Sequence, residues 1–448
     1  CTLREAIASI NAGEAAADCP VVTGSLGVED QIIFAPNTAG QSINLQQDQL
    51  TITTDIAIIS SDVRVTISGN DQFRIFKMGP GISVQLKGLN LISGNGCSVD
   101  NCRDGGAITA NQTALSLHNC TLSGNSLQGN RFGGAIFSYN NPSSIVIEES
   151  TLSDNSARNG GAVYAFLYGE MRISDSVITG NTASDRGGAI AVITDFPTEI
   201  SNSLIAANTA GRAGAIDARN GSDLTLRNVS IIDNTAVQTE EGSGAIFAGS
   251  IDVSLENSTV TGNAATASDA IGGGIVLLDS NISVFNSTVT GNASTSGGGG
   301  ISFAASNTGP YSVRIVSSIL AGNNSEFGNF HIESADPGNP VINVSHSLFG
   351  DGSMEINGTD NANIFDDFPM LNPPAPMGCR IAAGALGMTM CPPVMVPESN
   401  SPTLDNGENP LGLVADQRGL CHNRTVGIAT DIGSVEADPD IISCNDFE

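Results

Sequence analysis

The amino-acid sequence predicts an all-β protein, a right-handed parallel β-helix of about twelve coils. Three observations predict this fold: an asparagine that returns at nearly constant intervals, short segments of alternating hydrophobicity between those asparagines, and a composition poor in aromatic residues. An uncapped β-helix exposes unpaired strand edges, so we expect a short N-terminal capping helix and an irregular C-terminal cap. The expected boundaries are 1–30 for the N-terminal cap, 31–365 for the repeats and 366–448 for the proline-rich C-terminal region.

The asparagines recur every 25 to 31 residues. A second phrase, Gly-Gly-Ala-Ile or a close variant, follows the middle ones, first at Gly105 and last at Gly298. Such fixed-period self-similarity indicates stacked repeats, none of which buries its apolar face alone. In stacked coils, equivalent asparagines lie above one another, so we expect a hydrogen-bonded ladder of side-chain amides with a structural role. The ten asparagines are Asn70, Asn95, Asn125, Asn155, Asn181, Asn208, Asn234, Asn263, Asn292 and Asn323.

Short alternating segments lie between the asparagines. Residues 144–148, 224–227 and 253–256 alternate with a period of two and contain many β-branched residues, which is typical of strands. Gly and Asn stand between the strands, where the chain must turn through left-handed backbone. No segment of 31–365 sustains a helical pattern. Three short strands and three turns would complete one coil.

Composition and charge limit the possible partners. Aromatic residues make up 4% and Trp is absent, which suits a narrow interior filled by Ile, Val, Leu and Ala. The net charge of −29 repels nucleic acid and anionic membranes at long range, so we expect neither as a partner. The chain has no apolar run of about 18 residues and therefore no predicted membrane span. We expect no resident cofactor, although diffuse Ca²⁺ binding by the acidic surface is open beside simple solubility.

The nine cysteines indicate an oxidising compartment, either the periplasm or the cell exterior. Proximity in sequence predicts four local disulfides and leaves Cys120 free. Cys120 takes the place that Ser258 and Ser287 hold in a repeated phrase, so we expect a buried residue within a stack. The predicted pairs are Cys1–Cys19, Cys97–Cys102, Cys379–Cys391 and Cys421–Cys444.

The two ends differ from the repeats. Residues 1–11 place Leu3, Ala6, Ile7 and Ile10 on one helical face, as expected of a short lid over the first coil. A lipid anchor at Cys1 is a competing hypothesis, although such anchors usually precede a flexible linker and not a helix. The repeat fails from about residue 366, where prolines gather. We expect this tail to fold over the far end.

Motifs at both ends carry a family resemblance. The segment Cys1-Thr-Leu-Arg-Glu-Ala-Ile7 resembles the start motif of bacterial secreted β-helix proteins named for the string CSLREA. Residues 401–406, 416–419 and 431–436 resemble the choice-of-anchor region of the same proteins, and the repeats are similar to those of chlamydial polymorphic outer-membrane proteins. The resemblance implies an exported bacterial β-helix at the cell surface or released from it, often without assigned activity. The family motif usually has more chain before its Cys, so we expect this sequence to begin inside the mature protein.

A series of arginines stands one or two residues before the Gly-Gly-Ala phrases, and three of the four tyrosines follow the same phrases. Arginine binds carboxylate or sulfate through paired hydrogen bonds, and tyrosine offers a ring with a polar tip. We therefore predict a track that holds an acidic polysaccharide or a cell-surface glycan. Its residues are Arg103, Arg131, Arg158, Arg186 and Arg212, with Tyr139, Tyr164 and Tyr168.

An alternative needs no ligand. Guanidinium groups one coil apart repel by about 1 kcal/mol even in water, so acidic residues should alternate with them. A row of surface ion pairs, each worth little, would then explain the series. The offset of one residue in some phrases and two in others also predicts incomplete alignment. The candidate acids are Asp104, Asp154, Asp185 and Asp217.

Catalysis is a further alternative. A polysaccharide lyase needs a group that neutralises a uronate and a base, roles open to Arg158 or Arg186 with Tyr164 or Tyr168. A glycoside hydrolase needs two carboxylates about 5 to 9.5 Å apart. The absence of Trp and the regular coils favour instead a structural or adhesive rod, and the predicted caps disfavour a filament built by end-to-end stacking. The hydrolase candidates are Asp185, Asp195 and Asp217.

Overall fold

The computed structural model describes most of the chain, in two compact units. Unit 1 comprises Cys1–Pro197 with Ala382–Met388, and unit 2 comprises Thr198–Ile381 with Thr389–Glu448. The described residues are 1–15, 19, 26, 30–60, 64–98, 101–102, 104–167, 169–221, 223–238, 242–332, 339–350, 356–366, 368–376, 381–383, 388–390, 392–419 and 422–437. Among them, no helix is long and apolar enough to cross a membrane.

Unit 1 begins with the helix α1 (Leu3–Ala12). Thr2 caps its N-terminus in a capping box with Glu5, and Gly13 ends it in the left-handed conformation with φ 69°. Its apolar face is buried, and its polar side chains bind the first coil. The Arg4 guanidinium donates to the Gln49 carbonyl at 2.9 Å, and the Asn11 amide donates to the Thr51 carbonyl at 2.8 Å. The predicted N-terminal capping helix is therefore confirmed.

The rest of unit 1 is built of short strands, with one 3₁₀ turn at Pro36–Thr38. The strands are β1 (Gln31–Ile33), β2 (Ser42–Asn44), β3 (Leu50–Ile52), β4 (Ile56–Ile59), β5 (Val65–Ser68), β6 (Phe76–Met78), β7 (Ile82–Lys87), β8 (Leu89–Ile92), β9 (Cys97–Ser98), β10 (Asn101–Cys102), β11 (Ile108–Asn111), β12 (Thr113–His118), β13 (Thr121–Ser123), β14 (Ile136–Asn140), β15 (Ser144–Glu148), β16 (Thr151–Ser153), β17 (Ser156–Asn159), β18 (Val163–Leu167), β19 (Met171–Ser174), β20 (Val177–Thr179), β21 (Thr182–Arg186) and β22 (Ile190–Thr194).

These strands form three main parallel sheets, to each of which every coil contributes one strand, and one short parallel sheet. Sheet A1 contains β1, β4, β7, β12, β15 and β19, and sheet B1 contains β2, β5, β8, β13, β16 and β20. Sheet C1 contains β3, β6, β11, β14, β18 and β22, and the short sheet D1 contains β17 and β21. The strands β9 and β10 pair separately and antiparallel.

Unit 2 repeats the arrangement. Its strands are β23 (Thr198–Ser201), β24 (Leu204–Ala206), β25 (Thr209–Ala210), β26 (Ile216–Arg219), β27 (Leu224–Arg227), β28 (Ser230–Ile232), β29 (Thr235–Ala236), β30 (Ile246–Gly249), β31 (Asp252–Glu256), β32 (Thr259–Thr261), β33 (Ala264–Ala265), β34 (Ile275–Leu278), β35 (Asn281–Phe285), β36 (Thr288–Thr290), β37 (Ala293–Ser294), β38 (Ile301–Ala304), β39 (Ser312–Val316), β40 (Ile319–Leu320), β41 (Phe330–Ile332), β42 (Val341–Ser345), β43 (Leu348–Phe349), β44 (Asp360–Asn361) and β45 (Ile364–Phe365). The tail adds β46 (Ala375–Pro376), β47 (Ile381–Ala383), β48 (Met388–Met390) and β49 (Pro393–Val394).

The interior is made of columns of equivalent aliphatic residues. In sheet C1, Ile108, Ile136, Val163 and Ile190 follow one another in register, and all four are fully buried. Each coil thus covers the apolar face of the coil before it, as expected of a parallel β-helix. The all-β solenoid that the sequence predicts is confirmed.

The recurrence of the Gly-Gly phrases has a steric cause. The first glycine of the phrase at Gly133 has φ 68°, in the left-handed region. A Cβ on the second glycine, Gly134, would lie 2.0 Å from the carbonyl oxygen of Gly161 on the next coil. Two glycines are needed here because the backbone turns sharply and neighbouring coils approach closely.

The asparagine ladder is confirmed for eight of the ten residues. In unit 1, the Asn125 amide donates to Oδ1 of Asn155, and the Asn155 amide donates to Oδ1 of Asn181, both at 2.9 Å. Asn95 is not part of the row, because Gly94 takes the preceding position and donates its N–H to Asn125 Oδ1 at 2.8 Å. The expectation was also wrong for Asn70, whose side chain is exposed. The ladder in unit 2 consists of Asn208, Asn234, Asn263, Asn292 and Asn323.

Cys120 lies in a second buried row, as predicted. Its backbone N–H donates to Ser150 Oγ at 3.0 Å, and the Ser150 N–H donates to Ser176 Oγ at 3.1 Å. Cys120 is a free, buried cysteine, whereas Cys1 and Cys19 form the predicted disulfide.

The other predicted disulfides cannot be compared with the structure. The backbones of Cys97 and Cys102 lie opposite each other in the β9–β10 pair, but their side chains lie outside the described part. The remaining four cysteines also lie outside the described residues, namely Cys379, Cys391, Cys421 and Cys444.

The tail was expected to fold over the far end, but its described part packs along the flank of unit 2. Gln417 Nε2 donates to the Val229 carbonyl and to Ser230 Oγ, both at 3.0 Å, and Gln417 Oε1 accepts from Thr259 Oγ1 at 2.5 Å. The Ser434 N–H donates to Thr288 Oγ1 at 3.2 Å. The tail packs on this flank through hydrogen bonds with the hydroxyl groups on the strands β28, β32 and β36, which it buries.

Candidate functional site

Two columns of side chains lie beside the Gly-Gly phrases of unit 1. In the first column, the Arg158 N–H donates to the Arg131 carbonyl at 2.7 Å, so these residues stand on adjacent coils. In the second column, Phe132 forms a parallel bridge with Asn159, which in turn lies opposite Arg186. The first column therefore holds two arginines, and Arg186 belongs to the second column, one residue along.

The alignment of the arginine series is therefore incomplete, as the offset predicted. Arg131 and Arg158 are aligned, and Arg186 is displaced. Arg103 lies outside the described residues. Arg212 belongs to unit 2. A ligand-binding role for the series stays a prediction.

A β-bulge brings an acid to Arg158. Ala157 pairs with Ala183 and Asn159 pairs with Arg186, so Arg158 lies opposite two residues of β21, one of which is Asp185. Bulges of this kind redirect a side chain. Arg158 Nη2 lies 3.2 Å from Asp185 Oδ2, in an ion pair whose side chains are 39% and 20% exposed.

The sequence placed acids beside the arginines, and the structure shows which of them pair. Arg158 pairs with Asp185 of the next coil, and Asp154 forms no ion pair with it. The backbone N–H of Phe132 donates to Asp104 Oδ1 at 3.0 Å. Arg131 is half-buried, and its guanidinium forms no ion pair with the described residues. Within the part of the chain that the structure describes, the Arg131 charge therefore has no acidic partner.

Four aromatic rings form a cluster next to these columns, in which the Phe132 and Phe137 ring centroids are 6.4 Å apart. The Phe132 and Tyr164 ring centroids are 4.8 Å apart, those of Tyr164 and Phe137 are 5.7 Å apart, and those of Phe137 and Tyr139 are 4.8 Å apart. Their interplanar angles lie between 22° and 26°. Phe132 follows Arg131 directly in the chain, so the aromatic cluster lies next to the column that contains Arg131.

The sequence predicted the two tyrosines of this cluster, Tyr139 and Tyr164, but not its two phenylalanines. Phe137 and Tyr164 pair across β14 and β18, and each stands four residues after the first glycine of its phrase. This equal offset is a sequence signal from which the pairing of Phe137 with Tyr164 could have been predicted. Tyr168 lies outside the described residues. We call the surface formed by Arg131, Phe132, Phe137, Tyr139, Arg158, Tyr164, Asp185 and Arg186 the arginine–aromatic face.

The carboxylates proposed for hydrolysis differ in their surroundings. Asp185 lies in β21 and pairs with Arg158, whereas Asp195 directly follows β22, and a catalytic role for these two residues stays a prediction. In unit 2, Asp217 is buried and accepts from Arg219 Nε at 2.7 Å and Nη2 at 3.0 Å. Arg219 also lies 4.0 Å from the Phe247 ring centroid. Asp217 is thus held by Arg219.

Unit 1 also has a shallow groove of about 380 Å³ at the corner after β6, β11 and β14. Small residues such as Gly81, Ala114 and Ser144 line it. Asp55 is the charged residue of its lining, and Asp55 Oδ1 accepts from the Ser83 N–H at 2.8 Å. A lining with a carboxylate and no basic side chain does not suit an anionic ligand, so the arginine–aromatic face is the better candidate for one.

Comparison with known proteins agrees with the fold. The family model described as right-handed beta helix region matches residues 143–314, which include Arg158, Tyr164 and Asp185. No curated protein and no solved structure shows significant similarity to the chain. The fold of the protein is therefore that of a parallel β-helix.

Proposed function

We propose that this protein is an exported structural or adhesive β-helix that binds an acidic polysaccharide on the arginine–aromatic face without cleaving it. The observation that carries the proposal is the position of Phe132. It stacks on Tyr164 at 4.8 Å and adjoins Arg131, so cations, phenol hydroxyls and aromatic rings share one surface.

The chemistry of the aromatic cluster supports an anionic ligand. The Phe132, Phe137 and Tyr164 ring centroids form a triangle with sides of 4.8, 5.7 and 6.4 Å, so the rings form a compact cluster. Ring edges carry the positive part of the aromatic quadrupole, and the tyrosine hydroxyls donate hydrogen bonds. Both features favour carboxylate or sulfate groups, as the Arg131 guanidinium does.

Regular coils support a linear ligand. Adjacent strands of a parallel sheet are about 4.8 Å apart, so a chain that follows the coils meets a related set of side chains at each step. Contacts that are weak singly add up when one ligand makes several of them. A long polysaccharide is therefore a better ligand for this face than a short sugar.

Export to the cell surface is part of the proposal. The Cys1–Cys19 disulfide supports an oxidising compartment, and so does the resemblance of the end motifs to CSLREA-type and choice-of-anchor proteins. A disulfide formed in the periplasm or outside the cell persists there, whereas the cytosol would keep both thiols reduced.

Titration calorimetry with pectate, alginate, chondroitin sulfate and a neutral glucan tests the proposal. The matched control for Arg131→Ala is Arg172→Ala, an exposed arginine on β19 that pairs with Glu170 at 2.8 Å. We expect the wild type to bind at least one acidic polymer, Arg131→Ala to weaken binding about tenfold, and Arg172→Ala to change it little. A loss of about one charge-assisted contact corresponds to roughly this factor.

Three results would contradict the proposal. Binding of none of the acidic polymers would leave the arginines as structural ion pairs. Equal losses of polysaccharide affinity in Arg131→Ala and Arg172→Ala would indicate a non-specific charge effect. Release of unsaturated or shortened sugars would instead support the lyase or hydrolase alternative.

A further inference from the structure

We infer that Arg131 and Arg186 bind two acidic groups of one polyuronate chain, carried by the first and the third of three consecutive sugars. A trisaccharide is then the shortest ligand that spans the arginine–aromatic face. This inference rests on the proposed function and deepens it, because it names uronates as the class of ligand and fixes the length that the face recognises.

Arg131 and Arg186 lie two coils apart. Arg131 precedes Phe132, which forms a parallel bridge with Asn159 on the next coil. Asn159 in turn lies opposite Arg186 in the pairing of β17 with β21. Coils are about 4.8 Å apart, so the two backbone positions are separated by roughly 10 Å along the direction of stacking.

The two arginines share a property that Arg158 lacks. Neither guanidinium forms an ion pair with a described residue, and both side chains are half-buried. The Nε atom of Arg186 is buried and has no hydrogen-bond partner among those residues. Arg158, on the coil between them, already pairs with Asp185 at 3.2 Å. A ligand carboxylate therefore gains most at the two outer coils.

The separation allows both positive charges to remain on the free protein. Salt screens exposed charges beyond about 8 Å at physiological ionic strength, so two surface cations on coils roughly 10 Å apart repel only weakly. Arg158 lies one coil from each of them, and its ion pair with Asp185 offsets the stronger repulsion at that shorter distance.

An extended polysaccharide matches this spacing. Its rise per sugar is close to the distance between coils, so consecutive sugars can face consecutive coils. Carboxylates on the first and third sugars then face Arg131 and Arg186, which bind them through paired charge-assisted hydrogen bonds. The middle sugar faces Asn159, whose Oδ1 accepts from the Arg186 N–H at 3.2 Å and whose amide group can donate to a sugar hydroxyl.

Competition against fluorescently labelled pectate tests the inference, with galacturonate oligomers of one to four sugars as competitors. We expect the wild type to bind the trisaccharide about tenfold more tightly than the disaccharide, because a second charge-assisted contact becomes possible on the same chain. The gain from one to two sugars and the gain from three to four should each stay below about threefold, since neither adds a contact with an arginine.

Arg131→Ala and Arg186→Ala should each abolish the affinity step between two and three sugars, whereas Arg172→Ala, at an exposed position of β19, should keep it. The disaccharide should lose only about twofold in either single variant, because it can use the remaining arginine, and about tenfold or more in the double variant.

A second substitution separates ligand binding from a loss of packing. Arg186→Lys keeps the charge and should restore part of the affinity step, which a purely structural role would not require. A thermal melt of each variant confirms that the coil is folded, and Arg186→Gln replaces Arg186→Ala if the latter is unstable.

The outcomes distinguish the two proposals. If pectate binds and Arg131→Ala weakens its binding, but the step is absent in the wild type or persists in Arg186→Ala, the role of Arg186 is refuted and the proposed function stands. Binding of sulfated polymers alone would have the same meaning. If the wild type binds no acidic polymer, both proposals are refuted.

Discussion

The side-chain amide of Asn263 donates a hydrogen bond of 2.9 Å to Oδ1 of Asn292 on the next coil. The same amide nitrogen lies 2.9 Å from the Ile231 carbonyl oxygen of the preceding coil. Asn263 thus joins three consecutive coils of unit 2 from a position that is 1% exposed. Buried polar groups of this kind are costly to leave unpaired, so the row stabilises one stacking register.

Replacement of Asn263 by Ala should strongly destabilise unit 2. The substitution leaves the Asn234 amide without its acceptor at 2.9 Å and leaves two buried carbonyls short of a donor. At roughly 1 to 3 kcal/mol for each such group, we expect a loss of about 3 kcal/mol or more in the free energy of unfolding. Urea denaturation measures it, with Asn44→Ala at an exposed position of β2 as control. Equal stability of the two variants would contradict a structural role for the row.

Cys120 should be unreactive in the folded protein and replaceable by serine. Burial raises the pKa of its thiol to about 11, so almost no thiolate forms at pH 8. We expect no alkylation of the peptide containing Cys120 until denaturant is added, as read by mass spectrometry. Cys120→Ser should change the free energy of unfolding by less than about 1 kcal/mol, because Ser150 and Ser176 hold the same position on the following coils. Rapid alkylation of the native protein would show that the site opens readily.

Stability should fall as the pH rises from about 5 to 8, through Glu436 of the tail. Burial raises the pKa of this carboxyl to about 8, although Arg424 Nε lies 3.6 Å away and acts in the opposite direction. The folded state then keeps a proton that the unfolded state releases near pH 4.5, so the free energy of unfolding decreases with pH by at most about 1.4 kcal/mol per unit. Asp416 and Asp431, which also face Glu436, add negative charge and favour the same proton.

Glu436→Gln should remove most of this pH dependence, since Gln cannot release a proton. Thermal melts at pH 5, 6, 7, 8 and 9 compare it with the wild type, and Glu398→Gln at an exposed position of the tail is the control. If the melting temperatures of Glu436→Gln and the wild type changed with pH in the same way, another group would be responsible for the pH dependence of stability.

Gln417→Ala should loosen the tail. Gln417 makes three hydrogen bonds to the flank of unit 2, and their loss leaves the buried hydroxyl of Thr259 without that acceptor. We expect limited proteolysis to cut within 392–437 several times faster than in the wild type, while the coils stay intact. Gln47→Ala, at an exposed position of unit 1, is the control. Unchanged cleavage would show that the tail is held mainly by its apolar contacts, such as that of Ile432 with Ile319.

The periodic features were predictable from sequence because each coil repeats the same physical problem. Every coil must pair its buried amide groups and must turn close to the backbone of the next coil. Residues equivalent to Asn125 and Gly133 therefore recur at regular intervals and can be recognised in the sequence. The position of Asp185 was harder to predict, since it depends on one extra residue in β21 relative to β17. This one-residue offset determines which side chain contacts Arg158, and it cannot be recognised from the amino-acid composition.

The packing of the tail could not be predicted for a different reason. Gln417 and Ser434 bind residues more than 140 positions earlier, and they lie in a segment without a repeat. The tail motif itself is structural: Asp416 and Arg418 form a buried ion pair at 2.5 Å, and Arg424 lies near Glu436. Sequence resemblance drew attention to these residues but did not indicate what they contact.

The direction of the asparagine row has a consequence for how such a protein changes length. Each amide in unit 2 donates toward the following coil, from Asn208 to Asn323, and Asn323 donates to Asn329, only six residues further along the chain. The row therefore runs one way, and its last acceptor, Asn329, lies on the same short segment as Asn323. Gene duplication or deletion of one complete period would leave every donor facing an acceptor, whereas a partial one would not. Evolution can thus lengthen or shorten this molecule in whole coils, without redesign of either end.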